Sequence, residues 1–470
     1  MSDSPKENQN KKESIEETIK EMKEYPNNEI IQEKFISILI NIALNSENQI
    51  EIRNLKGIEP IIKAMNNFPN NQFIQEKGCR ALGNIVIDKE NQIEIRNLKG
   101  IKPIINAMNN FPNNQFIQEK GCRALGNIVS NKENRIEIRN LKGIEPIINA
   151  MNNFPNNQFI QEKGCRALGN IVIDKENQIE IRNLKGIEPI INAINNFPNN
   201  QNIQLGGCWA LGNIADDKEN QIEIRNLKGI EPIINAMNNF PNNQDIQLGG
   251  CWALGNIADD NKENKIEIRN LKGIEPIIKA MNNFPNNQGI QEKGCEALLN
   301  IVIDNENKIE IRNLKGIEPI IKVMNNFPNN QDIQLNGCEA LGNIAFYNNE
   351  NKIEIRNLKG IEPIINAMNN FPNNQDIQLN GCWALGNIVG NKENQIEIRI
   401  LKGIEPIINA MNNFPNNQDI HKYGLNQIEI KRLNGIELIK KVMNDFPNNQ
   451  DIQKYGKLVL EEFEKNEFYY

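Results

Sequence analysis

The sequence predicts an all-α fold, a right-handed superhelical solenoid of about ten three-helix repeats. Three observations predict it. The string Gly207-Cys208-Trp209-Ala210-Leu211-Gly212-Asn213-Ile214 stands in eight near-copies. Its asparagine recurs as Asn41, Asn84, Asn127, Asn170, Asn213, Asn256, Asn300, Asn343 and Asn387, in steps of 43 or 44 residues. Within each step the second and third apolar segments follow the 3.6-residue period of a helix, whereas propeller blades of similar repeat length need alternating strands. A solenoid grows by adding units to a shared core, so 470 residues need not divide into separate globular domains.

Residues 1–20 carry few apolar groups and are expected to form a disordered tail. Residues 21–46 read as a degenerate N-terminal capping repeat, with Phe35 and Ile36 in place of glycine and cysteine. Residues 47–417 are the repeat array. In its first unit, Glu47 to Lys56 is a short helix, although Ile50-Glu51-Ile52 alone alternates as a strand would. Gly57 is expected to supply the left-handed conformation that ends it. Pro60 sits near the start of a second helix, where its missing N–H costs nothing. Ile58, Ile61, Ile62 and Met65 then recur at i, i+3, i+4 and i+7, the apolar face of that helix. Phe68-Pro69-Asn70-Asn71-Gln72 breaks it, and Phe73 to Ile87 is the third and longest helix.

Residues 418–456 form an interrupted repeat. The glycine corner at Gly403 is followed by its counterpart Gly435 after 32 residues rather than 43. The missing stretch is the Cys-x-Ala-Leu-Gly-Asn helix, close to three turns, which predicts a shortened or fused helix and an end to the groove. Residues 457–470, with charge at the cysteine and asparagine positions, read as a C-terminal cap.

A net charge of −7 carries no basic excess, so no nucleic-acid partner is expected. No apolar run approaches the roughly 20 residues of a membrane span. Met1 to Glu24 has no signal-peptide core. A cytoplasmic monomer is expected, with access to the nucleus left open. All eight cysteines occupy one repeat position. Equivalent positions on stacked helices lie about 8–10 Å apart, beyond the roughly 7 Å limit for a disulfide, so they read as small buried thiols. His421 is the only histidine, and there is neither a phosphate-binding Gly-x-x-x-x-Gly-Lys loop nor a dinucleotide fingerprint. No catalytic residue, cofactor or metal ligand is expected.

Placing the third helix on a wheel divides it. Ile74, Gly78, Cys79, Ala81, Leu82, Ile85 and Val86 share a core arc, while Phe73, Glu76, Lys77, Arg80, Asn84, Ile87 and Asp88 share an open one. Between copies the core arc hardly changes and the open arc drifts. The position of Arg80 reads Arg80, Arg123, Arg166, Trp209, Trp252, Glu296, Glu339 and Trp383. Amid this drift Asn84, Asn127, Asn170, Asn213, Asn256, Asn300, Asn343 and Asn387 never change. A row of carboxamides offers donors and acceptors to the backbone of an extended chain. The alternative is a local role, with asparagine bonding nearby backbone.

The unit resembles the armadillo repeat over roughly residues 25–456. Trp209 with Asn213, Trp252 with Asn256 and Trp383 with Asn387 resemble the tryptophan–asparagine arrays of importin α. That resemblance implies asparagines binding peptide backbone and tryptophans flanking long side chains. The pattern Ala-Met-x-x-Phe-Pro-x-Asn followed by Gly-Cys-x-Ala-Leu is also similar to the armadillo regions of Roco-type leucine-rich-repeat kinases.

The expected function is therefore a non-enzymatic scaffold or adaptor holding an extended peptide along a concave groove. The early repeats present Lys77, Arg80, Lys120, Arg123, Lys163 and Arg166, and the late ones Asp245, Glu292, Glu296, Asp332, Glu339 and Asp376. The protein or peptide partner is thus expected to be acidic near the early repeats and basic near the late ones. Alternatives are a regulator of a folded partner such as a small GTPase, and a nuclear-import-type cargo receptor.

Overall fold

The computed structural model describes residues 5–86, 88–302, 304–425 and 435–466. Ile87, assigned above to the open arc, lies outside the described residues, as do 426–434 of the interrupted repeat and 467–470 of the cap. Every regular element among the described residues is an α-helix. The chain divides into two compact units, residues 1–239 and 240–470.

In the first unit, the repeat at Lys132–Asn140, Ile144–Asn153 and Gln158–Ile171 shows the common plan. Asn131 caps the first helix, its side chain accepting from the Asn134 N–H at 2.9 Å. The helix closes in a Schellman motif. Lys142 N–H donates to the Arg139 carbonyl and Gly143 N–H to the Ile138 carbonyl, both at 2.8 Å.

The left-handed residue in this motif is the lysine. Lys142 has φ 56° and Lys56 φ 58°, while Gly143 has φ −81°. The expectation for Gly57 and its counterparts is therefore overturned, since no described glycine has positive φ. Glycine is needed there for space. A Cβ on Gly143 would stand 2.8 Å from Ile105 Cδ1 of the preceding repeat and 2.9 Å from Ile138 Cγ2.

The second helix buries Ile144, Ile147, Ile148 and Met151. The third helix lies against it at Gly164, where a Cβ would come 2.5 Å from Met151 Cγ. Buried Gln161 donates to the carbonyls of Met151 at 2.8 Å and Phe154 at 2.9 Å, supplying partners that the second helix's last turn lacks. Successive third helices approach closely, a Cβ on Gly126 falling 3.0 Å from Ala167 Cα.

The first helices carry a second, buried asparagine ladder. Asn134 Nδ2 donates to the Ile128 carbonyl at 2.7 Å and to the Gln92 carbonyl of the preceding repeat at 3.3 Å. Its Oδ1 accepts from Arg96 of that repeat at 3.2 Å. Every Arg–Asn pair of this kind ties one repeat to the next.

The N-terminus differs from expectation. A helix spans Pro5–Glu24, covering most of the stretch 1–20 expected to be a disordered tail and running into the capping repeat. Ile15, Ile19 and Met22 are buried on it. It serves as the second helix of the capping repeat. Ile19 crowds Gly57 as Ile62 crowds Gly100, and Gln32 bonds the Met22 and Tyr25 carbonyls as Gln75 bonds those of Met65 and Phe68. Docking against the first full repeat outweighs the low apolar content of the segment.

The second unit keeps the same plan through Gln375–Ile388. The described part of the interrupted repeat's third helix is Gln418–Leu425, and the residues on which the expected shortening or fusion falls, 426–434, lie outside the described residues. The helices Gly435–Asp445 and Gln450–Asn466 follow, packed through Gly456 on Met443.

Candidate interaction face

Within each unit the third helices share one open face, and their invariant asparagines lie along it. In the first unit Asn127, Asn170 and Asn213 each donate Nδ2 to a backbone carbonyl one repeat back, those of Gly83, Gly126 and Gly169, all at 3.0 Å. Asn84 makes the same bond to the Ile40 carbonyl at 3.3 Å but is buried, 3% exposed, against its placement on the open arc. In the second unit Asn300 donates to Gly255 at 3.2 Å and Asn387 to Gly342 at 3.3 Å. The half-buried Asn256 and Asn343 stand at the same position. At the six asparagines so bonded, one amide proton braces the stack. This is the local backbone role weighed above against ligand binding, and all of these asparagines except Asn84 are half-buried rather than buried.

The cations of the first unit are not equivalent. Lys77 pairs with Glu33 of the preceding repeat at 2.7 Å, Lys120 with Glu119 at 2.6 Å, and Lys163 with Glu162. Arg80, Arg123 and Arg166 have no ion pair among the described residues; Glu76, likewise without one, stands a turn before Arg80, so Arg123 and Arg166 carry the net positive charge of this face. Phe73, Phe116 and Phe159 stand a helical turn before the lysines, each 53% exposed.

Two clefts open on this face. The larger, about 640 Å³, is lined by Arg123, Lys163, Arg166, Asn127, Asn170 and Ser130, with no carboxylate in its wall. The other, about 340 Å³, is lined by Arg166, Asn170, Glu162, Asn202, Leu205 and Trp209. Arg166 and Asn170 belong to both. The sequence reading missed Ser130 and Gln92 of the larger cleft. The signal was present, because Ser130 stands where neighbouring copies have Ile87 and Ile173.

In the second unit Trp252 and Trp383, at the open-arc position of Arg80, are half-buried. Lys293 lies over the Trp252 ring at 4.2 Å while pairing with Glu296 at 2.8 Å, which neutralises that glutamate locally. Trp383 packs between Phe346, at 5.1 Å, and Tyr423, at 4.8 Å. Its Nε1 donates to Asn343 Oδ1 at 3.4 Å. Burial pushes the Glu339 carboxyl above the usual carboxylate range, and Asn380 donates to it at 3.4 Å. Asp245, Asp332 and Asp376 are exposed in the first turns of their helices, where a negative charge also complements the helix dipole.

The eight cysteines are free and buried. Burial pushes Cys79 and Cys208 up to about 12, the opposite of what a reactive thiol needs. No His, Cys, Asp or Glu cluster suited to a metal ion occurs among the described residues, and no described helix is long and apolar enough to cross a membrane.

No curated protein sequence matches this chain. Among solved structures, an engineered protein from the Northeast Structural Genomics Consortium superposes with a TM-score of 0.74 at 22% identity, covering 88% of this chain and 98% of the other. A structure described under a phosphorylation switch controlling the interaction between cadherin and β-catenin gives a TM-score of 0.76 at 12% identity, covering 93% of this chain and 88% of that one. At these identities the likeness establishes the fold, an armadillo-type solenoid of the kind that serves as a protein-interaction scaffold. The family model described as LRRK2 ARM repeat matches residues 51–228 and 263–430, well over half of the sequence, and the chain belongs to that armadillo-repeat family.

Proposed function

We propose that the chain is a non-enzymatic scaffold that holds an extended segment of a partner protein along the third-helix face. The observation that carries this reading is the sharing of Arg166 and Asn170 by two adjoining clefts. A continuous segment can therefore lay one side chain in each while its backbone meets the Asn170 amide edge between them. Trp209 and Leu205 offer the apolar area that anchors interfaces.

The charge polarity of the partner follows from groups that remain uncompensated. The first unit offers Arg123 and Arg166, with Arg80 offset by the unpaired Glu76 one turn before it. The second offers Asp245, Asp332, Glu339 and Asp376, with Glu296 balanced by Lys293. A partner with an acidic segment for the first unit and a basic one for the second fits both. The cytoplasm suits such a scaffold, being a setting in which eight unpaired cysteines are ordinary.

The test is a pull-down from cell extract followed by mapping on overlapping peptides. A short linear segment should suffice for binding. Arg123→Glu and Glu339→Lys should each weaken capture and flatten its salt dependence. A partner that binds only as an intact folded domain, indifferent to both substitutions, would refute the reading.

A further inference from the structure

The larger cleft of the first unit has a composition that the peptide reading alone does not require. Arg123, Lys163 and Arg166 line it, and no carboxylate does. Lys163 is held by Glu162 on its own helix, which leaves two guanidinium groups facing one space. Asn127, Asn170 and Ser130 supply neutral polar groups around them. The far wall is fixed. Ser130 Oγ donates to Gln92 Oε1, and Gln92 Nε2 donates to the Val86 carbonyl at 3.2 Å and the Asn127 carbonyl at 3.0 Å. Ser130 stands where the next repeat has Ile173, which is 54% exposed and lines the same cleft.

One carboxylate satisfies one guanidinium. Two guanidiniums beside an ammonium match a group with nearly two charges and three acceptor oxygens, which is a phosphate monoester. The adjoining cleft differs. Gly206 stands there at the position of Lys163, and the half-buried Leu205 and Trp209 make the wall more apolar. Equivalent points on neighbouring helices lie about 8–10 Å apart, and an extended chain rises about 3.3 Å per residue, so the two clefts are about three residues apart along a bound segment.

We propose that this face recognises a phosphorylated side chain in an extended partner segment, seated between Arg123 and Arg166, together with an apolar side chain about three residues away beside Trp209. The proposal rests on the extended-segment reading above. The flanking carboxamides and the apolar second cleft favour a phosphopeptide over a membrane headgroup or a free anion, neither of which would use them.

The test uses the full chain and fluorescein-labelled peptide pools with a central phosphoserine, random flanks and a leucine fixed three residues to one side or the other. Matched pools carry serine or glutamate at the centre. By anisotropy, one phosphoserine pool should bind at least about tenfold more tightly than its glutamate counterpart. Arg123→Ala with Arg166→Ala should abolish that ratio. Arg166→Lys, which keeps the charge and loses the paired donors, should reduce it. Trp209→Ala should erase the preference for the leucine position and spare the phosphate preference. Equal binding of the phosphoserine and glutamate pools overturns the phosphate subsite and leaves the extended-segment reading standing. Displacement by inorganic phosphate as effective as by the phosphopeptide identifies a free-anion site and overturns the peptide assignment. No binding by any pool at about 1 mM overturns both readings. Circular dichroism of each variant separates a lost subsite from a lost fold.

Discussion

Asn170 reaches back one repeat and donates its Nδ2 to the Gly126 carbonyl at 3.0 Å. The bond fixes the carboxamide plane, so what Asn170 can offer a partner is Oδ1 and the remaining N–H. Bracing and recognition share one side chain, and the substitution that separates them is Asn170→Asp. It removes the donor and turns a carboxylate toward the Gly126 carbonyl, so it should cost about 1–3 kcal/mol, whereas Asn170→Ala should cost about 1 kcal/mol. Urea denaturation of the two variants checks this. An aspartate variant as stable as the parent would mean that the ladder does not brace the stack.

The corner after each first helix gives a second prediction, in which two adjacent residues respond in opposite directions. Lys142 holds φ 56°, a conformation that costs a side-chain-bearing residue about 1–2 kcal/mol, partly offset in a glycine variant by the freer unfolded chain. Lys142→Gly should therefore stabilise by up to about 1 kcal/mol. Gly143→Ala should destabilise by about 1–3 kcal/mol, because its methyl meets Ile105 and Ile138 at under 3 Å. Thermal melts of the two variants should shift to opposite sides of the parent.

That corner also shows what was legible in the sequence. Repeat length, helix periodicity and the core arc of the third helix were readable because they depend on side-chain chemistry at fixed spacing. The exchange of roles between Lys142 and Gly143 was not, because glycine serves both for left-handed backbone and for close approach, and only the position of Ile105 distinguishes the two. The Pro5–Glu24 helix was partly legible, since Ile15, Thr18, Ile19 and Met22 keep the i, i+3, i+4, i+7 spacing. Its polar neighbours masked the pattern, and the repeat that covers it follows later in the chain. Among the candidate site residues, the arginine and lysine rows looked alike in sequence. They separate only through the partners Glu33, Glu119 and Glu162.

The buried thiols make a third prediction. With Cys208 held up to about 12, the native chain at pH 8 presents roughly a thousandfold less thiolate than free cysteine, even before steric exclusion. A thiol-reactive chromophore should find none of the eight in the folded chain and all eight in denaturant, after the same incubation. Fast labelling of one thiol under native conditions would show that its repeat opens locally.

His421 stands at the position that elsewhere holds the buried glutamine, and it imitates that residue imperfectly. Its Nε2 meets the Pro415 carbonyl at 3.2 Å, while Nδ1 is buried without a hydrogen-bond partner. Burial holds its pKa below the usual value of about 6.5; the carbonyls of Pro415 and Phe414 offset this in part, with Asp445 adding to the offset and Lys441 opposing it. The unfolded chain therefore binds the proton more readily than the folded one. Stability contributed at this site is whole above the unfolded value and is lost as pH falls through it toward the folded value. His421→Gln should remove that dependence and restore an amide able to reach the Met411 and Phe414 carbonyls, as Gln378 reaches those of Met368 and Phe371. Hydrogen exchange of the helices Ile404–Asn413 and Gln418–Leu425 at pH 7 and pH 5 reads the effect. The parent should lose protection at the lower pH, and the glutamine variant should keep it, with a gain of about 1 kcal/mol at pH 5. An unchanged pH dependence in the variant would assign the acid response of these helices to other groups, such as Asp445, whose charge acts on His421.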